Sequence, residues 1–516
     1  MAIFYVAETA LGDGSGSDAE NARPMSWLNT TGAWNGSTAG VRICSNPTQD
    51  TIKDEVHFVG TISTPFDWPY ATGVGAAGLK FVFEPNAKFS RPHWAGGRGC
   101  AIFWESAAYG KNKVEIDFGL NGCIECTDNG TNLTYQQPSA GIVFQSAKHV
   151  TITNPRIYNL WVRVFGTGQG RTSAGIFAQC NSGNITDLTI TGGVIHDCDI
   201  GISTNATAPG CARYTIQGVE IYNINWGIGC GLAGTGATME DFVARGNYIH
   251  DFECWDTPLG IGGLEDFHHN AIFLYGEPTG ENFISAVIEG NILGPNFGVR
   301  ATSGLYLSHW TMKGTYIVRN NVFKGAPTNG LITTGTAVGS TVYIHNNTFL
   351  VSSSGNAALG VGGFYAGAGM NLHCRNNVVK GGSYLQINYG GNVTVDSDYN
   401  LIYGYTPGFP GPVTRGLDSS VGAVPWSTWQ TVYGQDTHSI IDQDPLLDAS
   451  GRPQGGSPTL GVGADLSAQF TTDYDGLLRN SPWAIGAFRG VGGGAFPPAP
   501  RALHNLGTWA FSLGLF

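Results

Sequence analysis

Apolar and polar positions alternate along this chain in short bursts, and the bursts return. A small residue followed by an apolar one opens a run at Ala174-Gly-Ile-Phe-Ala-Gln, Ile200-Gly-Ile-Ser-Thr-Asn, Trp226-Gly-Ile-Gly-Cys-Gly and Asn270-Ala-Ile-Phe-Leu-Tyr. The same step recurs at Ser303-Gly-Leu-Tyr-Leu-Ser, Asn329-Gly-Leu-Ile-Thr-Thr and Ala357-Ala-Leu-Gly-Val-Gly. Alternation with period two marks a strand whose successive side chains face opposite ways. Ile272 and Leu274 are therefore expected to point inward and Phe273 and Tyr275 outward. Leu305 and Leu307 pair in the same way against Tyr306 and Ser308. Repeats of roughly 20–50 residues signal stacked architectures. Units of two or three short strands and no helix predict an all-β solenoid, a parallel β-helix.

A second phrase lies between these runs: Arg245-Gly-Asn-Tyr-Ile, Glu289-Gly-Asn-Ile-Leu, Arg319-Asn-Asn-Val-Phe, His345-Asn-Asn-Thr-Phe and Arg375-Asn-Asn-Val-Val. It places Asn247, Asn291, Asn321, Asn347 and Asn377 at one turn of successive coils. Asparagine tolerates the left-handed conformation, and stacked amides can bond along the axis. From Asn291 onward the interval is about 26–30 residues, but from Asn247 to Asn291 it is 44. An insertion is expected near 253–268, where a long loop on a regular scaffold tends to carry function. The organisation expected is an N-terminal strand and cap over 1–40, a β-helix over 41–405, an irregular end over 406–490 and a Gly/Pro-rich apolar tail over 491–516. The segment from Ala22 to Leu28 reads as a short capping helix, because an open solenoid end would expose core and strand edges.

Composition narrows the class. The chain has 516 residues, 77 of them glycine, and only 12% are charged, too few for long amphipathic helices. A net charge of −12 argues against nucleic acid as a partner. No apolar run is long enough for a membrane-spanning helix. The start, Met1-Ala-Ile-Phe-Tyr-Val, reads as a strand and not as a leader. The expected location is extracellular or virion-associated, the leader having been removed or the protein released by lysis. The ten cysteines read as buried coil-interior thiols; Cys123-x-x-Cys126 has no second pair at zinc spacing. No cofactor is expected, and no motif supports calcium.

The closing stretch reads Asp444-Pro-Leu-Leu, Gly456-Ser-Pro-Thr-Leu-Gly-Val-Gly, Asp473-Tyr-Asp-Gly-Leu-Leu-Arg and Ala484-Ile-Gly-Ala-Phe. With the coil phrases it resembles the right-handed parallel β-helix superfamily of pectate-lyase-like proteins, over roughly residues 40–490. The resemblance implies a right-handed β-helix. It also implies one of that superfamily's roles: polysaccharide lyase, glycoside hydrolase or phage tailspike depolymerase. The paired-aspartate and Gly-His-Gly motifs of polygalacturonases are absent, as is a pectate-lyase calcium-and-arginine signature. No catalytic residue carries over.

The residues themselves nominate a site. The insertion and its flanks are polar in a chain poor in charge. Glycoside hydrolysis needs two carboxyl groups, one protonated and one acting as nucleophile or base. Asp256, Glu265, Asp266 and Glu277 are the candidates, with His268 and His269 placed to orient or shuttle a proton. Their bland alternative is a solvated loop. Phe273, Tyr275, Tyr306, His309 and Trp310 would form an aromatic platform for sugar rings, or else pack beneath the insertion. His196-Asp197 and His250-Asp251 occupy equivalent turns and read as structural; Asp199 is a weaker candidate. A lyase would draw a base and a cation from His268, His269, Tyr275, Arg300 and Lys313, but only 26 residues are Lys or Arg, which favours hydrolysis. The third reading is a non-catalytic glycan-binding or structural spike. The apolar tail is the feature that would suit a homotrimer.

Overall fold

In the computed structural model of the protein, the described residues are 2–30, 52–67, 78–94, 99–105, 113–130, 137–145, 148–161, 173–180, 185–206, 209–232, 234–252, 269–276, 282–297, 301–309, 314–325, 329–334, 340–351, 357–362, 370–388, 393–404, 413–417 and 420–490. The expected insertion at 253–268 lies outside them.

The chain is a right-handed parallel β-helix. Three long sheets run its length. Sheet A extends from Arg23–Pro24, beside Ala2–Ala7, to Val393–Asp398, and sheet B from Thr61–Ile62 to Ile440–Ile441. Sheet C extends from Phe66–Asp67 to Val413–Leu417, where Ser420–Val424 closes its edge in antiparallel pairing. Each coil contributes one strand to each sheet, so every strand pairs with its counterparts about 4.8 Å away along the axis. Among the described residues, no helix is long and apolar enough to cross a membrane.

Register explains the first recurring phrase. On the inner face of sheet C, Ile102, Ile142, Ile176, Ile202, Ile228, Ile272, Leu305 and Leu331 stack in one column within the main core. The small residue before each apolar one has a steric cause. A Cβ on Gly201 would stand 2.5 Å from Ile221 Cγ2 in sheet B and 2.7 Å from the Gly227 carbonyl of the next coil. Gly175 and Gly227 are confined in the same way.

The second phrase is a turn followed by a ladder. Its second residue adopts positive φ: Gly246 at 62°, Gly290 at 63°, Asn320 at 55°, Asn346 at 52° and Asn376 at 59°. Its third residue sends a buried amide along the axis. Asn291 Nδ2 donates to Asn321 Oδ1 (2.9 Å), Asn321 Nδ2 to Asn347 Oδ1 (3.0 Å) and Asn347 Nδ2 to Asn377 Oδ1 (3.1 Å). Each Oδ1 also accepts the backbone N–H of the asparagine before it. Each Nδ2 also donates to a sheet A carbonyl, such as Asn321 to Ile288 (2.8 Å). The ladder runs one step beyond the repeated phrase, to Asn400, and ends on Asp436. Burial pushes the Asp436 carboxyl above its usual range. Donors from Asn400, Ser397, Ser439 and Trp429 converge on it in compensation.

Both ends are closed. The helix Met25–Leu28 buries Met25 and Leu28 at the N-terminal end, and Trp429, from the helix Trp426–Thr431, is buried at the other. Residues 440–490 then fold back along sheet B. They are fastened through the left-handed asparagines: Asn320 Nδ2 donates to Thr472 O (2.9 Å), Asn346 Nδ2 to Ala484 O (3.1 Å) and Asn376 Nδ2 to Ala464 O (2.9 Å). Buried Arg479 adds bonds to Asn320 Oδ1 and to the carbonyls of Gly486 and Ala487. This accounts for the change from Gly to Asn within the phrase. Gly246 has open space where a side chain would be, whereas the asparagines stand under the returning segment.

Two predictions follow from this packing. Asn321→Ala orphans the Asn291 backbone N–H, one Asn291 amide hydrogen and the Ile288 carbonyl; a loss of about 3 kcal/mol or more is expected in urea unfolding. His345 is 2% exposed, and its Nε2 has no hydrogen-bond partner. Burial first, then the nearby His373 and Arg375, lower its pKa from the usual 6.5 to about 4, against Gln469 and Asp396. The unfolded chain then binds more protons than the folded one between those values, so this contribution to stability is lost as pH falls from 6.5 toward 4. The decline of the urea midpoint between pH 6.5 and 5 should be shallower in His345→Gln.

Candidate functional site

Charge is distributed unequally over the three outer faces. On sheet A, Glu289 sits between Arg245 and Arg319, with Arg319 Nε 2.6 Å from Glu289 Oε2. Asp396 takes Arg375 at 2.8 Å and His373 at 3.0 Å. Arg213, hydrogen-bonded to Asp187, holds that carboxyl below its usual range. On sheet B, Glu125 accepts from Lys88 (2.9 Å) and Ser90 (2.8 Å), and Lys380 reaches Asp444 (3.0 Å). These groups are spent on one another.

Sheet B also carries a ring stack. Tyr158, His196, Tyr222 and His250 follow each other with centroids 5.0, 4.6 and 5.4 Å apart and nearly parallel planes. His196 Nδ1 lies 2.7 Å from Asp197 Oδ2, and His250 Nδ1 the same distance from Asp251 Oδ2. Asp197 and Asp251 have φ of 54° and 51°, in one turn column with Asn159, Asn223 and Asn296. The ring faces cover one another and the aspartates shape turns, so the His-Asp pairs belong to the scaffold.

Sheet C is different. One outward column runs Phe103, Val143, Phe177, Ser203, Gly229, Phe273 and Tyr306, and its register continues through Ile332, Gly360, Gln386 and Thr414. The column beside it runs Glu105, Gln145, Gln179, Asn205, Gly231 and Tyr275, then Ser308 and Thr334, with Gly362, Asn388 and Gly416 further on. Asp67, which pairs with Phe103 at the sheet edge, and Glu105 are the charged residues in these two columns among the described residues. The amides stack as well: Gln145 Nε2 donates to Gln179 Oε1 at 2.8 Å.

The strip has a gap at Gly229 and Gly231, ringed by aromatics. A Cβ on Gly229 would have one neighbour within 4 Å, Trp226 Cε3 at 3.7 Å. Gly231 makes room for Tyr275, whose ring tip and hydroxyl would lie 2.5 Å from a Cβ there, with Asn205 Oδ1 at 2.6 Å. Phe273 stacks with Tyr306 (5.1 Å, 13°) and Tyr275 (4.6 Å, 23°), and meets Trp226 edge-on (5.0 Å, 76°). Among the described residues, the buried Asn205 Oδ1 finds no hydrogen-bond partner, a state that buried polar atoms seldom occupy.

Of the residues nominated from the sequence, Phe273, Tyr275 and Tyr306 come together here, outside the core that Ile272 and Leu274 enter. Phe273 is only 6% exposed, so the half-buried Tyr275 and Tyr306 form the accessible part of the platform. Asp256, Glu265, Asp266, His268, Glu277, Arg300 and Trp310 lie outside the described residues, as do the side chains of His269 and His309. The backbone places His269 at the start of the strand His269–Gly276 and His309 at the end of Ala301–His309. Asp199 is buried and accepts Asn225 Nδ2 at 2.9 Å. Cys123 and Cys126 are buried in one strand, and burial pushes the Cys126 thiol up to about 12. Among the described residues, no group of three His, Cys, Asp or Glu side chains could hold a metal ion. Sequence reasoning missed Trp226, Asn205 and Gly231. The signal for them was Gly229 and Gly231 on the outward parity of a strand opened by Trp226.

No family model matches this sequence, and no curated protein does. Solved structures with a similar course of chain include pectate lyase Pel9A, at 13% identity over 95% of this chain and 97% of that one, with a TM-score of 0.42. A GH136 lacto-N-biosidase from Eubacterium ramulus is similar at 11% identity over 78% of this chain and 68% of that one, TM-score 0.45. XylC, in a complex with xylose, is similar at 10% identity over 94% and 98%, TM-score 0.40. At these identities the likeness is one of fold and assigns no residue a role.

Proposed function

We propose that the protein is a polysaccharide-degrading enzyme that lays an extended glycan along the outer face of sheet C and hydrolyses it. The observation that carries this reading is the uncharged aromatic and amide strip, with its glycine gap, on a molecule whose other faces carry self-paired charge. Aromatic rings take the CH faces of sugars, and Tyr and Trp keep a polar edge for water and hydroxyls. Convergent amides fix orientation in a site of this kind. A sugar hydroxyl in the gap would supply the partner that Asn205 Oδ1 lacks.

The acid and the nucleophile or base are assigned to Asp256, Glu265, Asp266 and Glu277. These flank the strand that presents Phe273 and Tyr275. One carboxyl group would protonate the leaving oxygen while a second attacks the anomeric carbon or activates water. His268 and His269 would assist by orienting a carboxylate or relaying its proton. Arg300, His309 and Trp310, at or next to the ends of the neighbouring strand in the sequence, are assigned to substrate binding. An extracellular or virion-associated setting suits such a polymer substrate, and a homotrimer suits the spike that would carry it.

Incubation with a wide polysaccharide panel, following reducing ends and ultraviolet absorbance together, tests the reaction. New reducing ends without absorbance are expected. Both signals together would make the enzyme a lyase acting by β-elimination, and binding without either would make it a non-catalytic spike. Glu265→Ala, Asp266→Ala and Glu277→Ala, made singly, should include at least one that loses about 100-fold or more in kcat; full rate in all three overturns the assignment. Gly231→Ala tests the platform separately. Its Cβ would meet only side-chain atoms of Tyr275 and Asn205 within hard contact, so the fold should persist while Tyr275 is displaced. KM is expected to rise about tenfold with kcat kept.

A further inference from the structure

We infer that the polymer taken by sheet C is a neutral glycan and not a polyuronate or other polyanion. The inference rests on the glycan reading above and specifies its substrate class.

Three observations converge on it. First, among the described residues the two outward columns of sheet C contain no Lys, Arg or His, and their charges are the carboxylates of Asp67 and Glu105. A chain bearing a carboxylate on every sugar needs cations to replace the water it loses; an uncharged strip offers none. Secondly, four cations described on the other faces are engaged by acids: Arg245 and Arg319 by Glu289, Arg213 by Asp187, Lys88 by Glu125. Thirdly, the sequence between Arg245 and Arg300 contains no Lys or Arg, yet it holds the nominated acids together with Asp251, Glu253, Glu281 and Glu289. That stretch includes the strand bearing Phe273 and Tyr275. Glu289 is balanced by Arg245 and Arg319; the other acids of the stretch come with no cation to offset them, on a molecule whose net charge of −12 repels a polyanion at long range.

A neutral chain meets none of these costs. Its hydroxyls can exchange hydrogen bonds with Gln179 and Asn205, and its CH faces can lie on Tyr275 and Tyr306. Among the described residues, the two outward columns present no arginine or lysine to neutralise a uronate carboxyl, so a β-elimination would have to draw on Arg300 or Lys313, which flank the Tyr306 strand in the sequence.

Matched polymer pairs that differ only at C6 provide the test: polygalacturonate, polymannuronate and polyglucuronate, each against the neutral polymer made by reducing its own carboxyl groups. Retardation of the full-length protein in affinity gels is measured at about 20 mM and about 500 mM salt, where screening lengths differ several-fold. The expected result is at least about tenfold tighter binding to the neutral member of one pair, equal at both salt concentrations. Binding to a uronate member, equal to or tighter than to its neutral partner, overturns the inference while leaving a glycan-active protein. Binding to no polymer in any pair overturns the glycan reading itself, and the inference with it.

Discussion

A solenoid must turn its backbone at every coil while burying the turn, and every polar group in that turn needs a partner. The asparagine ladder meets this constraint. Each amide accepts from the asparagine before it and donates both to the one after and to a sheet carbonyl. The bonds run along the axis, so each ladder amide is satisfied by the coils next to it. A ladder of this kind needs an ending, and here it is a buried carboxylate that receives four donors. Unpaired, that carboxylate would be among the most costly groups in the molecule. Fully bonded, it closes the stack and draws in the capping Trp429.

The residue before each ladder asparagine shows how one turn serves two ends. Left-handed φ admits Gly or Asn at little cost. Where the turn faces open space the residue is glycine, and where the C-terminal segment returns it is asparagine, whose amide fastens that segment to the coils. The covered stretch of sheet B becomes a second small core, with Ile292, Val322, Ala487 and Phe488 packed together. Beyond Tyr248 the ring stack of Tyr222, His196 and Tyr158 takes over the same face.

Sheets A and B thus use their outer surfaces for the molecule itself, through charge ladders, ring stacking and the returning segment. Sheet C does not. Its outer columns replace charges with amides, aromatics and glycines, and at Gly229 and Gly231 they leave room that the neighbouring rings surround. A parallel sheet repeats its residues at a spacing near 4.8 Å, which turns a column of like side chains into a linear surface. Such a surface suits an extended polymer better than a compact ligand.

The repeat, the inward isoleucines and the asparagine column were legible in the sequence because each arises from a contact between equivalent positions of adjacent coils. A constraint that recurs once per coil is written once per coil. The outward parity of Phe273, Tyr275 and Tyr306 was legible for the same reason, since period-two alternation follows from backbone geometry alone. Asn400 escaped because Tyr399 stands where the phrase has Gly or Asn, although it too adopts positive φ. The sequence by itself therefore determined the solenoid, its inner columns and which residues of a strand face outward. Only the tertiary structure decided that His196 and His250, already legible as structural turns, stack between tyrosine rings, that Phe273 is enclosed by its neighbours, and that Gly231 yields its place to Tyr275. Those outcomes depend on how far a side chain reaches across coils and on what lies opposite it, and no local pattern carries that distance.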